Sequence, residues 1–412
     1  MADFIGTSGD DDFTGTSGDD SFNLHQGGED TATGLGGNDI FAMGATLDAG
    51  DSLDGGTGSD AVFLRGDYAH RLVFGADTIT HMARLAVGAG FDYNLATNDG
   101  AVASGGKMVI DASKLGAGDT LTFNGAAETD GHFHIFGGAG NDAVTGGNGG
   151  DAFDMRFAGG EDRFVGGGGD DLILGGANFD SGDEINGGGG AKNILRLDGD
   201  YSSGIVFAAS TMHNIDVIQL RAGNDYDLTL AGSSLPANRL LIRADHMGAG
   251  DTLTFNGEHA KGRLHVDSGA GDDTLTGGAF HDVLQGNLGA DTMTGRGGPD
   301  SFVYTAAAQS DLTSLDHITD FDADQDSFVF PFQVTTVIAA QTTANTVADL
   351  SVSGLSAHGA AVVSVTGGLL ANHTYLVVDG NGSAVFDLGD YVIDITGVKH
   401  IADLGAADFT TS

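Results

Sequence analysis

Aspartate stands at a fixed place behind glycine through much of this chain. Gly6-Thr7-Ser8-Gly9-Asp10-Asp11-Asp12-Phe13-Thr14 is followed at once by Gly15-Thr16-Ser17-Gly18-Asp19-Asp20-Ser21-Phe22-Asn23. Both rows approximate G-G-x-G-x-D-x-U-x, with U apolar, a nine-residue pattern that binds calcium in parallel β-helices. Paired nonads fill the blocks 6–23, 25–42, 46–63, 137–154, 157–174, 178–195, 268–285 and 286–303. Their sixth positions are Asp11, Asp20, Asp30, Asp39, Asp51, Asp60, Asp142, Asp151, Asp162, Asp171, Asp183, Asp273, Asp282, Asp291 and Asp300. Carboxylates set among backbone carbonyls form an all-oxygen environment, which suits a hard, weakly directional cation such as Ca²⁺. The expected cofactor is therefore calcium, bound many times over.

The elements that must hold these carboxylates follow from the same row. Glycine supplies turn conformations closed to residues with a Cβ. The x-U-x that follows makes a short strand whose middle side chain points inward. That middle position holds Phe13, Phe22, Ala32, Phe41, Leu53, Val62, Val144, Phe153, Phe164, Ile173, Ile185, Ile194, Leu275, Leu284, Met293 and Phe302, all apolar. Two nonads make one turn of a flattened coil, so loops about eighteen residues apart stack on one edge. Asp11, Asp30 and Asp51 then line one edge and Asp20, Asp39 and Asp60 the other. Asp142, Asp162 and Asp183 repeat the first ladder, and Asp151 and Asp171 begin its opposite number. Asp273 stacks with Asp291, and Asp282 with Asp300. The fold class is all-β, a parallel β-roll or β-solenoid.

One block departs from the row. Gly55-Gly56-Thr57-Gly58-Ser59-Asp60 aligns with Gly187-Gly188-Gly189-Gly190-Ala191-Lys192, placing Lys where the carboxylate belongs and Ile194 opposite Val62. An ammonium cannot coordinate Ca²⁺, so an ion is expected between the loops of Asp39 and Asp60 and none between those of Asp171 and Lys192. Two other candidates are weaker. His132-Phe133-His134 puts two imidazoles on the solvent face of a strand. Asp379-Gly380-Asn381-Gly382-Ser383 opens like an EF-hand loop, but Ala384 stands where that loop needs glycine and Asp390 where it needs a bidentate Glu.

Bulk composition narrows the class. The 412 residues carry 58 acidic against 16 basic side chains, a net charge of −42. That surplus excludes non-specific nucleic-acid binding and adhesion to anionic lipid through basic patches, and it makes the compact state repel itself unless cations are fixed on it. No cysteine is present, which excludes disulfides and thiol catalysis. No apolar run approaches the roughly 20 residues of a membrane-spanning helix, and the first residues do not form a Sec signal peptide.

A longer period overlies the short one. Leu115-Gly116-Ala117-Gly118-Asp119-Thr120-Leu121-Thr122-Phe123-Asn124-Gly125 returns as Met247-Gly248-Ala249-Gly250-Asp251-Thr252-Leu253-Thr254-Phe255-Asn256-Gly257. Two tandem modules are expected, 1–136 and 137–267, each closing in a long-turn insertion (64–136 and 196–267) that reads as further solenoid turns without tight calcium loops. A short third roll, 268–303, and an antiparallel β cap, 304–412, follow.

These residues resemble the RTX proteins exported by type I secretion systems. Gly298-Pro299-Asp300-Ser301-Phe302-Val303-Tyr304, Asp316-His317-Ile318-Thr319-Asp320-Phe321 and Val378-Asp379-Gly380-Asn381-Gly382 are similar to the C-terminal half of serralysin-type proteins. The resemblance implies secretion, with an uncleaved export signal in the last 50 or so residues and the type I machinery as a partner. The H-E-x-x-H of the serralysin protease domain does not occur, nor does a G-x-S-x-G elbow, so the chain is read as a non-enzyme. The expected role is a calcium-dependent structural protein of the cell surface or extracellular matrix, self-associating and anchored through a cell-surface glycan. The alternative is a secreted adhesin or enzyme working through the two insertions.

Overall fold

The computed structural model describes residues 1–157, 159–232 and 239–411. Ala158 of the block 157–174, residues 233–238 of the second insertion and Ser412 of the expected export signal lie outside the described residues. The chain is a parallel β-solenoid that divides into two compact units, Met1–Asp198 with Ser210–Ile215, and Gly199–Ala209 with Asp216–Ser412.

In the first unit each turn contributes two short strands. Asp3–Ile5, Ser21–Asn23, Ile40–Met43 and Ala61–Leu64 pair in parallel. Arg84–Val87, Lys107–Asp111, His132–Phe136, Ala152–Asp154, Leu172–Gly175 and Ile194–Leu197 extend that sheet. The intervening strands form a second set, Asp12–Thr14, Thr31–Thr33, Ser52–Asp54 and Ile79–Thr80. A third runs Tyr68–Val73, Tyr93–Ala96, Leu121–Asn124, Ala143–Thr145, Arg163–Val165, Glu184–Asn186 and Met212–His213.

The core is the stack of middle residues. Phe22 lies opposite Phe41 in register, with ring centroids 4.7 Å apart. Every inward position named above is at most 1% exposed except Phe13 and Ile194, which are half-buried. Phe13 sits in the first turn, with fewer neighbours to cover it. Ile194 is a correction. Ile173 pairs with Leu195, not Ile194, and Leu195 is fully buried. The loop 187–193 carries one residue more than 55–60, and its four consecutive glycines make room for it. Gly190 takes φ +123°, and a Cβ there would collide with the carbonyl oxygen of Gly169. Lys192 consequently lies exposed, and Asn193 takes the sixth position.

The long turns of 64–136 coil in the same parallel sheets but close their edges differently. Asp119 Oδ2 accepts hydrogen bonds from the backbone N–H of Gly90 (2.8 Å) and Gly116 (2.9 Å). Asp251 Oδ2, in the second unit, is held identically by Gly223 and Gly248, both at 2.8 Å. Amide donors thus compensate Asp119 and Asp251. Stacked tyrosines recur beside them, Tyr68 on Tyr93 and Tyr201 on Tyr226, each pair 5.9 Å apart.

In the second unit one sheet runs Val217–Leu220, Arg239–Arg243, Arg263–Asp267, Val283–Gln285, Ser301–Val303, Ser327–Phe330 and Phe409–Thr411, all parallel. The other runs Tyr201–Ala208, Tyr226–Ala231, Leu253–Asn256, Thr274–Thr276, Thr292–Thr294 and Asp316–Ile318, then Tyr391–Asp394. The parallel coil therefore continues past residue 304. Among the described strands, Tyr391–Asp394, Thr374–Val378 and Ala360–Gly367 pair antiparallel. The edge strand Val337–Thr343 lies parallel to the last of these.

Candidate metal centre: the aspartate ladders

Beyond Asp11, whose carboxylate bonds to Thr7 of its own loop, the sixth-position carboxylates are locked by the turn before them. Asp30 Oδ1 accepts from Asp11 N (3.0 Å) and Asp51 Oδ1 from Asp30 N (2.9 Å). On the opposite edge Asp39 and Asp60 accept from Asp20 N and Asp39 N, both at 2.8 Å. Asp142, Asp162 and Asp183 form the next ladder at 2.9 and 2.8 Å. Asp151 N donates to Asp171 Oδ1 (2.7 Å), and Asp171 N to Asn193 Oδ1 (3.0 Å). Asp273 leads to Asp291 and Asp282 to Asp300, at 2.8 and 2.9 Å. All fifteen aspartates except Asp11 are at most 3% exposed.

What distinguishes the rungs is the second oxygen. At the entrance to each ladder it folds back on its own loop. Asp20 Oδ2 accepts from Thr16 N (2.6 Å), Asp142 from Gly138 N (2.6 Å), Asp151 from Gly147 N (2.7 Å) and Asp282 from Gly278 N (2.5 Å). At two exits it is closed by a tight turn, Asp51 by Asp48 N and Asp183 by Asp180 N, both at 2.8 Å. Oδ2 of Asp30, Asp39, Asp60, Asp171 and Asp291 is buried with no hydrogen-bond partner. A buried, uncompensated charged oxygen is far too costly to persist. Burial accordingly pushes all five carboxyls upward, Asp171 to about 8 and Asp291 to about 9, and it lifts two other rungs, Asp162 to about 7 and Asp300 to about 8.

The space beside these oxygens fits a cation. A Cβ built on Gly34 would collide with Asp39 Oδ2 and lie 2.7 Å from Gly55 O. One on Gly166 would collide with Asp171 Oδ2 and lie 2.6 Å from Gly187 O. A carboxylate oxygen and the carbonyl of the next turn thus converge on one point that only glycine leaves open. Oxygen ligands alone, some charged, match Ca²⁺ rather than zinc or copper. Because Asp171 keeps this cradle and Lys192 lies exposed rather than at the sixth position, the ground for expecting no ion beside Asp171 is removed.

Two rungs escaped the sequence reading. Asp316 Oδ1 accepts from Asp291 N (3.0 Å) and Asp326 Oδ1 from Asp300 N (2.9 Å), so the Asp273–Asp291 and Asp282–Asp300 ladders both run one turn beyond the last nonad. Asp316 is fully buried beside the Tyr304 hydroxyl, and burial lifts it to about 8. The readable signal was D-x-U, in Asp316-His317-Ile318 and Asp326-Ser327-Phe328, without the preceding glycines. Replacing Asp316 with Ala is expected to weaken calcium binding at the Asp291 loop at least tenfold. Titration calorimetry showing unchanged affinity across all sites would exclude Asp316 from the ladder's chemistry.

The EF-hand-like loop resolves differently. Asp379 accepts backbone N–H bonds from Ser383 (3.1 Å), His358 (3.0 Å) and Ala384 (2.9 Å), and Asp390 from Gly380 (3.1 Å) and Asp387 (2.9 Å). Its carboxylates brace the loop. His132 and His134 flank buried Phe133, both half-buried. Lys107 Nζ lies 3.4 Å from His134 Nδ1, a cation where a metal would have to approach.

Comparison with known proteins agrees with the ladder geometry. The family model for the RTX calcium-binding nonapeptide repeat, in 4 copies, matches residues 134–153 and 267–302. No curated protein matches the chain. Among the described residues no helix is long and apolar enough to cross a membrane.

Proposed function

We propose that this RTX calcium-binding repeat protein is a secreted structural subunit of the bacterial surface or extracellular matrix, folded by calcium after export and self-associating through a sheet edge. Calcium binding itself follows from the repeats. The charge of −42 and the buried carboxylates favour an extended chain wherever calcium is scarce, the state a type I exporter would need.

The observation that carries the structural role is the strand Val337–Thr343. Among the described residues it pairs on one side, with Ala360–Gly367, and stands at the edge of its sheet. Its sequence, Val-Ile-Ala-Ala-Gln-Thr-Thr, has no charge and no proline over seven residues. Natural edges are normally blunted by lysine, proline or a bulge, because unpaired N–H and C=O groups template pairing with another chain. An unblunted edge is what a subunit that adds to its own kind would present, and two copies of one strand can pair about a two-fold axis.

The double substitution Ala339→Lys, Gln341→Lys places two cations on exposed positions of that edge. At millimolar calcium and high protein concentration, light scattering should show assembly of the native chain and monomers of the variant, with equal strand content. Native protein that stays monomeric, or a variant that assembles equally well, would count against this role and favour the adhesin reading.

A further inference from the structure

The ladder exits are not all closed alike. Asp51 and Asp183 end on a backbone N–H, and Asp326 ends on Asp322 N at 2.8 Å. Asp60 ends on nothing. It is 0% exposed, its Oδ1 takes Asp39 N, and its Oδ2 has no partner. The turn after it is no nonapeptide loop. Strand Ile79–Thr80 leads directly into His81, Met82 and Ala83, and Ala83 N and Arg84 N both donate to Asp60 O. His81 adopts φ +53°, and its carbonyl turns toward the ladder. A Cβ on Gly55 would lie 2.6 Å from His81 O and 2.7 Å from Asp60 Oδ2. Two oxygens, one of them a buried carboxylate, converge on the same point with no donor between them.

The second copy of the long repeat provides the comparison. Asn214 stands where His81 does, with φ +51°, and Gly187 N reaches the preceding His213 O as Gly55 N reaches Thr80 O. Here the rung is Asn193. Its Oδ1 accepts Asp171 N just as Asp60 accepts Asp39 N. Its Nδ2 donates to Asn214 O at 3.0 Å and lies 3.4 Å from Gly189 O. A carboxamide has the shape of a carboxylate but presents a donor where the carboxylate presents an acceptor. The convergent carbonyl is therefore satisfied in this copy by an N–H.

We propose that Asp60 holds a calcium ion between its nonapeptide loop and the His81 turn, and that Asn193 replaces the corresponding ion with its own amide. This inference rests on the reading of the ladders as calcium sites and adds to it one site built from a single repeat loop, together with its natural counter-example. The two copies of the long repeat then differ in how their last turn is secured: by an ion in one, by a calcium-independent hydrogen bond in the other.

The test counts ions on the full chain at saturating calcium, by native mass spectrometry or metal analysis after gel filtration. Asp60→Asn should bind one calcium fewer than the native protein and Asn193→Asp one more. Circular dichroism should show the same strand content in all three, since each substitution preserves the Oδ1 bond to the preceding turn. An unchanged count in Asn193→Asp overturns the proposal, as does an unchanged count in a folded Asp60→Asn. If Asp60→Asn does not fold, the gain in Asn193→Asp decides alone. Native protein without calcium would instead overturn the reading of the ladders, a distinct result.

Discussion

In excess chelator at neutral pH, the chain is expected to lose most of its strand signal and to regain it on addition of millimolar calcium. The size of the effect follows from the rungs. A carboxyl held at about 7 rather than its ordinary 3.8, as burial holds Asp162, costs about 4 kcal/mol to ionise in place. Asp171, Asp291, Asp300 and Asp316 stand higher still. Whole-domain stabilities are only about 5–15 kcal/mol, so a few such groups without a cation are enough to unfold the coil. The ion reverses the sign. A site present at about ten times its dissociation constant adds roughly 1.4 kcal/mol, and it also removes the repulsion between successive rungs. Far-ultraviolet circular dichroism with and without chelator measures this directly. Equal strand content in both would mean that glycine turns and the stacked apolar core hold the solenoid alone.

Much of this was legible in the residues because the nonapeptide is short and each of its positions has one job. Glycine, carboxylate and apolar residue recur with types that cannot be interchanged, and so the stacking partners Asp11–Asp30–Asp51 and Asp20–Asp39–Asp60 could be named from spacing. The failure at 187–195 has the same physical root. In Gly187-Gly188-Gly189-Gly190 no glycine differs from the next, so one additional loop residue leaves no trace in the pattern. Lys192 and Asn193 are both polar, and Ile194 and Leu195 both apolar, so residue type alone does not choose between the two registers. Only the hydrogen bond from Asp171 N to Asn193 Oδ1 chooses between them. Asp316 and Asp326 were hidden for the opposite reason. They follow their partners Asp291 and Asp300 by 25 and 26 residues, and no glycine loop marks the turn. A carboxylate in a ladder needs only the N–H of the preceding rung and a buried place to stand. Neither leaves more of a motif than D-x-U.

Acid should substitute in part for calcium. In the chelated protein the raised carboxyls keep their protons when folded and lose them when unfolded over the window from about 4 to about 9 set by Asp162, Asp171, Asp291, Asp300 and Asp316. The folded state binds more protons there, so stability is greatest below the ordinary carboxylate range and falls as pH rises through these values. Chelated protein near pH 4.5 is thus expected to recover strand content that it lacks at pH 8, as neutral carboxyls cease to repel one another along each edge. Protons and the ion occupy the same oxygens of the folded coil, so each proton bound there takes over part of the work that calcium would do. The calcium concentration needed for half-folding should therefore fall as pH falls from 8 to 6. A midpoint independent of pH would mean that the backbone carbonyls bind the ion and the aspartates merely brace the loops. Asp151, Asp183 and Asp273, pushed only to about 6 and already bonded to backbone N–H on both oxygens, should contribute least to that slope. Asn193 should contribute nothing, since its amide does not titrate in this range. An Asn193→Asp variant should therefore show a steeper dependence of the calcium midpoint on pH than the native chain.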